Sequence, residues 1–323
     1  MNPISIFILK VLRKLYAKTF GGYVLPPLQR EENIDKISEI IYDLLSSDKP
    51  CMIARFGSTE LSAIVNYLGV NTPHHSICKF IKGEQPEWWW NHNIMNQMQQ
   101  WSGFFPATPQ NMQRFGELMI NDSKEIDILG SWVRNEYQLS SFLPSNMKKV
   151  DRDNINPFFA KKPWTKALEG KNVIVIHPFA ETIRKQYKIK DKIFPNGLLP
   201  DFNLTVIEAV QSLGGENNKY PTWFEALQYM EHELDKIDYD ICLIGCGAYG
   251  FPLAAHIKRQ GKKAIHIGGA LQLYFGIKGK RWEGKGYKGG INDYSKLFNE
   301  YWTRPSVNEK PKNSSNVENG CYW

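Results

Sequence analysis

The chain has 323 residues, 40 Lys+Arg against 33 Asp+Glu for a formal net charge of +7, and is 42% hydrophobic and 13% aromatic. That content excludes intrinsic disorder over most of the length, and collagenous and coiled-coil classes with it; the length suits one large α/β domain with elaborations or two small ones. Five scattered cysteines (Cys51, Cys78, Cys242, Cys246, Cys321), with no C-x-x-C, form neither a disulfide framework nor a zinc ribbon and point to a reducing cytosol.

Residues 1–25 open the chain with a basic amphipathic helix. Ile4, Phe7, Ile8, Val11, Leu12 and Leu15 share one helical stripe, Lys10, Arg13, Lys14 and Lys18 fall on the other face, and no acid precedes Glu31. The longest apolar run, Ile6 to Leu9, is far short of the ~20 residues a bilayer span needs. Two readings stay open: residues 4–20 anchor the protein peripherally on the inner, anionic face of the cell membrane, or the stripe packs on the chain's own body.

Residues 26–303 read as one Rossmann-like domain. A helical pattern from Ile34 to Leu45 stops at Asp48-Lys49-Pro50, and the apolar run Cys51 to Phe56 predicts a buried strand. Gly57 turns the chain, Ser58 is the expected N-cap, and Leu61, Ile64, Val65 and Leu68 stripe a short helix closed by Gly69. An aromatic, irregular segment with Trp88-Trp89-Trp90, about residues 71–110, reads as an inserted lobe or lid. Further strands are expected at Ile126–Leu129, Val173–Ile176, Tyr239–Ile244 and Lys263–Ile267. Helices are expected from about Asn203 to Leu213, ended by Gly214-Gly215, from the capping box Thr222-Trp223-Phe224-Glu225 to about Lys236, and from Phe251 to Arg259. Residues 304–323, rich in Pro, Asn, Ser and Lys, read as a disordered tail.

Strands alternating with helices predict an α/β fold: a mostly parallel sheet with helices on both faces, whose ligands bind at the carboxyl ends of the strands. Arg55, Trp132, His177, Gly245 and Gly268 are expected there. Gly245-Cys246-Gly247-Ala248-Tyr249-Gly250 fits G-x-G-x-x-G between a strand and a helix, where backbone N–H groups can cradle a diphosphate. A dinucleotide site also wants an acid near the end of the next strand, and that place holds His266-Ile267-Gly268-Gly269, so NAD is not expected. A glycine-rich basic loop with Lys278, Lys280, Arg281, Lys285 and Lys288 suits phosphate chemistry or is a solvated loop. The cations are not interleaved with aromatics along strands, and no nucleic-acid partner is expected.

The turn Ala54-Arg55-Phe56-Gly57-Ser58-Thr59-Glu60-Leu61 resembles the Arg-(Phe/Tyr)-Gly-Asp-Gly-Glu turn of the GT-D-fold glycosyltransferases. The block from Asp240 to Trp282, with Gly245-Cys246-Gly247-Ala248, Lys262 to Gly268 and Phe275-Gly276, resembles that family's C-terminal part, so the likeness spans most of residues 35–283. It implies transfer of a sugar from a nucleotide diphosphate sugar to a membrane-linked or polysaccharide acceptor, in bacterial surface glycan assembly. It also implies a divalent cation, Mn²⁺ or Mg²⁺, and the sugar diphosphate held by an Asp-x-Glu pair. Glu60 matches the Glu, while Ser58 stands in place of the Asp. A metal held by Glu60 with another group, a metal-free enzyme using basic residues, and an inactive relative are the alternatives. The expected catalytic residues are Glu60, Arg55 and His177, the last as a phosphate donor or a base. Gly57, Ser58, Gly245, Gly247, Ala248, Gly268 and Arg281 are expected to bind the nucleotide sugar. Rival readings are a non-catalytic polysaccharide-assembly protein and a nucleotide-cofactor oxidoreductase.

Overall fold

A computed structural model describes residues 1–213, 219–284, 293–311 and 320–323. Its elements in chain order are α1 (Pro3–Phe20), α2 (Ile34–Ser46), β1 (Cys51–Ala54), α3 (Ser58–Asn71), α4 (Ile77–Lys82), α5 (His92–Trp101), α6 (Pro109–Asp122), β2 (Ile128–Ser131) and β3 (Lys148–Asp151). They continue with β4 (Asn172–His177), α7 (Ala180–Tyr187), α8 (Lys190–Ile193), β5 (Asn203–Glu208), α9 (Trp223–Asp235), β6 (Ile241–Ile244), α10 (Gly250–Arg259) and β7 (Lys263–His266). Short 3-10 turns lie between them.

The seven strands form one sheet in the order β3-β2-β1-β7-β6-β4-β5, and every neighbouring pair is parallel. Parallel strands are covered on both faces and therefore read as unbroken apolar runs. Alternate residues of each run feed two cores. Ile53, Val173, Val175, Leu243 and Ile265 face α2, α7 and the turn around Tyr274. Met52, Ala54, Ile174, Ile176, Cys242, Ile244 and Ala264 face α3, α5, α6, α9 and α10. The fold is the Rossmann-like α/β architecture that the strand–helix alternation predicts.

The crossover directions reverse between β4 and β6. From β4 the chain passes through α7 to the outer strand β5, and from β6 it passes through α10 back toward β7, so the two helices cover opposite faces. Such a reversal opens a crevice outside the carboxyl ends of the two strands.

Several expectations are corrected. Asn203–Glu208 is the edge strand β5 and not the start of a helix: Thr205-Val206-Ile207 is a β-branched run, and it pairs with β4 from Asn172↔Asn203 to His177↔Glu208. Gly214-Gly215 lie outside the described residues. The N-cap of α3 is Gly57, with Ser58 already helical, and the helix runs past Gly69 to Asn71. Gly69 serves packing instead, since a Cβ there would lie 2.2 Å from the Glu87 carbonyl oxygen. Residues 71–110 are helical where α4, α5 and the start of α6 lie, and Phe80, Trp89, Met95 and Met98 are buried, so this segment belongs to the packed body.

The N-terminal helix docks through an unexpected face. Leu9 and Ile6 pack on Phe80, Trp88 and Trp89, Arg13 lies 4.9 Å over the Phe80 ring, and Lys10 pairs with Glu87 at 3.1 Å. The apolar stripe does not pack on the body: Ile4, Phe7, Ile8, Val11, Leu12 and Leu15 are all exposed.

The tail is ordered where it is described. The Glu309 carboxylate accepts from the Glu181 and Thr182 N–H groups at 2.7 and 3.1 Å and from the Thr182 hydroxyl, capping α7, and Cys321 and Trp323 are buried. Residues 304–311 and 320–323 are thus not disordered, because a carboxylate at a helix N-terminus and a terminal aromatic pair give them partners; residues 312–319 lie outside the described residues. Glu309→Ala should lower stability by about 1 kcal/mol, read as a lower urea midpoint with an unchanged slope, and Glu309→Gln by less.

Candidate functional site

Register brings the unusual residues to one edge. Ile53 pairs with Ile265, Ile244 with both His266 and Ile176, so the residues after β1, β7, β6 and β4 emerge side by side. Arg55, Gly57, Ser58, Glu60, His177, Gly245, Gly247, Ala248 and Arg281, all expected site residues, line one cleft there. Gly268 lies beneath it.

The contacts under the cleft are close. A Cβ on Gly268 would sit 1.9 Å from Arg55 Nη2, so the guanidinium crosses from β1 over the bare backbone that follows β7; φ of +76° at this residue also favours glycine. A Cβ on Gly245 would lie 2.7 Å from His177 Cδ2 and 2.9 Å from the Gly268 oxygen. Below, Phe56 stacks on Phe251 at 4.7 Å and fastens the Arg55 turn to the start of α10. Both rings are buried.

Arg55 is half-buried and, among the described residues, makes no ion pair within 4.0 Å, with Glu60 or any other acid. Burial pulls its pKa down; the Glu60 charge opposes that, and Arg152 and Arg281 reinforce it. A guanidinium stays charged regardless. Arg152, which follows β3, lies 4.1 Å over the Trp132 ring and bonds Asp153 at 2.9 Å. Arg281 bonds the Tyr322 hydroxyl at 2.8 Å. Three cations therefore share one rim with one lining carboxylate among the described residues, Glu60, which folds back over Gly57. Arg152 is neutralised by Asp153, and the partly desolvated Arg55 is the cation that an anion in the cleft would offset.

Helix ends add to the field. Side chains cap α1, α2, α4, α5, α6 and α9. The helices that begin at the cleft edge, α3, α7 and α10, carry no cap from their own N-cap side chain. Glu309 fills that role at α7, and Glu60 stands in the first turn of α3. At α10 the loop preceding the helix has Gly247 exposed with φ +60°, and backbone N–H groups at a helix start favour an anion.

His177 is buried, and its Nδ1 accepts from the Phe179 N–H at 3.0 Å. Burial lowers its pKa to about 3, so the ring is neutral with its proton on Nε2. It is built as a hydrogen-bond donor, and the expectation of a base is corrected to that extent. His266, buried beside Gly250, is likewise held well below its ordinary value by burial and by the Arg55 charge.

The donor set does not fit a protein-held divalent cation. Among the described residues no group of three or more His, Cys, Asp and Glu is placed to hold a metal ion, and Glu60 has no second lining carboxylate beside it. Oxygen ligands from a bound diphosphate and water would have to complete any such site.

Sequence reasoning missed Arg152, because the strand it follows went unrecognised, and Tyr322 and Trp323, which line the cleft although the tail was read as disordered. The Cys321-Tyr322-Trp323 triplet was the available signal. Trp88 and Trp89 pack with Phe80 and His75. Lys285 and Lys288 of the basic loop lie outside the described residues. Comparison with protein-family models, curated proteins and solved structures finds no match to this chain.

The sign of the pH effect follows from the His177 shift. Between pH 6.5 and about 3 the unfolded chain binds a proton that the folded chain does not, so stability falls as pH falls. Asp122, raised to about 6 by burial, works the other way over part of that window, so the comparison must be with a variant. His177→Asn keeps an acceptor for Phe179. It should lose roughly 2–3 kcal/mol less than the parent between pH 7 and 4.5 in urea unfolding.

Proposed function

We propose that the protein is a glycosyltransferase that takes a sugar from a nucleotide diphosphate sugar and passes it to a lipid-linked or polysaccharide acceptor. The observation that carries this reading is the meeting of Arg55, Arg152 and Arg281 with the Gly245–Gly250 loop at one cleft over the reversal in strand order. A diphosphate leaving group carries its charge between the two. The N–H groups of Gly247 and Ala248, at the start of the 3-10 turn that runs into α10, take one phosphate, and the Arg55 guanidinium takes the other in forked hydrogen bonds.

Catalysis in this reading is chiefly charge neutralisation and alignment. As the sugar–phosphate bond breaks, negative charge grows on the departing diphosphate, and fixed cations stabilise it more in the transition state than in the ground state. Arg55 is the central contributor, because it crosses the cleft floor with no acid within ion-pairing distance among the described residues. The Nε2–H of His177 donates to a phosphate or sugar oxygen. Glu60 holds a sugar hydroxyl. Trp132, with Arg152 over its face, offers an apolar surface to the base or sugar.

The non-catalytic binding protein remains a second reading for one stated reason: Ser58 replaces the second carboxylate that the resemblance implies. The two separate experimentally. Nucleoside diphosphates should raise the melting temperature of the parent, and Arg55→Ala should weaken binding roughly 10- to 100-fold, as loss of a charged hydrogen-bonding group does. Glu60→Gln should keep most of the binding while donor turnover falls by at least about tenfold. Binding without any donor turnover in the parent would favour the second reading, and no response to nucleoside diphosphates would sink both.

A further inference from the structure

We infer that α1 is an interfacial membrane helix that lies flat in an anionic lipid leaflet, held to the body by its opposite face. This does not rest on the donor-site reading. At 100° per residue, Phe7, Val11, Ile4, Leu15, Ile8 and Leu12 fall within an arc of about 140°. All are exposed, Ile4 and Phe7 at 68% and Leu15 at 57%, and Phe20 at the helix end reaches 75%. Leu9, Ile6 and Arg13 lie on the far side and face Phe80 and Trp89. The helix thus spends a narrow face on the body and presents its wider apolar face outward. Contiguous exposed apolar surface of this kind marks a site of association.

Charge selects the occupant. Residues 1–30 contain no Asp or Glu, and at 100° per residue the exposed Lys18 falls within the outward stripe and Lys14 at its border, whereas of the four cations expected on the opposite face only Lys10 and Arg13 turn to the body. Pairing the stripe with that of a second copy would line both sets of lysines along one seam with no acid from either helix. A leaflet carrying anionic headgroups neutralises them while its acyl region covers the stripe, each lysine near the surface adding to the attraction. No described helix is long and apolar enough to cross a membrane, so α1 lies in the interface. Its length, about 27 Å at 1.5 Å per residue, lets both ends engage at once. The Lys10–Glu87 pair and the Arg13–Phe80 contact hold it with the stripe outward before any lipid is met.

The test is co-sedimentation of the full chain with vesicles of phosphatidylcholine alone and of phosphatidylcholine with about one quarter phosphatidylglycerol. The parent should bind the anionic vesicles at least about tenfold more strongly than the neutral ones, and less as salt rises. The double variant Phe7→Asp/Leu15→Asp should lose at least about tenfold of that binding. Because both positions are exposed, its circular dichroism and melting temperature should match the parent. Lys14→Glu/Lys18→Glu gives a second reading in which the stripe is kept. Equal sedimentation of parent and both variants, or no binding to anionic vesicles, overturns the inference. So does a dimer of the parent in sedimentation velocity that Phe7→Asp/Leu15→Asp dissolves, which would assign the face to a second copy.

Discussion

A guanidinium laid over a residue without a side chain sets the geometry of this protein's candidate site. Arg55 leaves β1 and reaches the loop after β7 because Gly268 offers bare backbone there, and its charge is then held next to the end of β6 that carries the glycine loop. Held there without an acid within ion-pairing distance among the described residues, it creates a demand for an anion that no neighbouring side chain meets. The charges of Arg152 and Arg281 reinforce the desolvation of Arg55, which Glu60 only partly opposes, and the exposed Gly247 at the start of the turn leading into α10 lines the same cleft.

The packing below serves this arrangement. Phe56 and Phe251 lock the two turns together, the Glu136 carboxylate takes the Ser131 hydroxyl at 2.5 Å and the Trp132 N–H at 2.9 Å, and Tyr249 stacks on Trp223 at 5.0 Å. Each contact fixes the loop behind a lining residue. Sites in open parallel sheets rely on such support, since the strands end at the ligand and the loops alone would not hold angstrom-level geometry.

Legibility in the sequence followed burial. The central strands β1, β4, β6 and β7 are apolar on both faces and stood out as unbroken runs, so the alternation that defines the fold could be read. The edges could not. Three of the four residues of Lys148–Asp151 are charged, as suits an edge strand, and with the strand Arg152 was lost. Asn203–Glu208 mixes exposed and buried residues and passed for a helix. Within the site, Arg55, His177 and the glycine loop were readable from their place after strands, whereas Tyr322 and Trp323 reach the cleft by a tertiary route that no local pattern encodes. At the N-terminus, periodicity identified which face of α1 is apolar but not which face the body covers. Aliphatic stems and aromatic rings allowed the basic side to dock.

In the proposed function two distant segments act on one ligand, and amide hydrogen exchange read by mass spectrometry tests this most directly. On titration with a nucleoside diphosphate, peptides covering residues 55–60 and 245–250 should gain protection together, at the same ligand concentration, while peptides within α1, which contributes nothing to the cleft, should not change. Protection confined to one of the two segments, or appearing at a different surface, would contradict it.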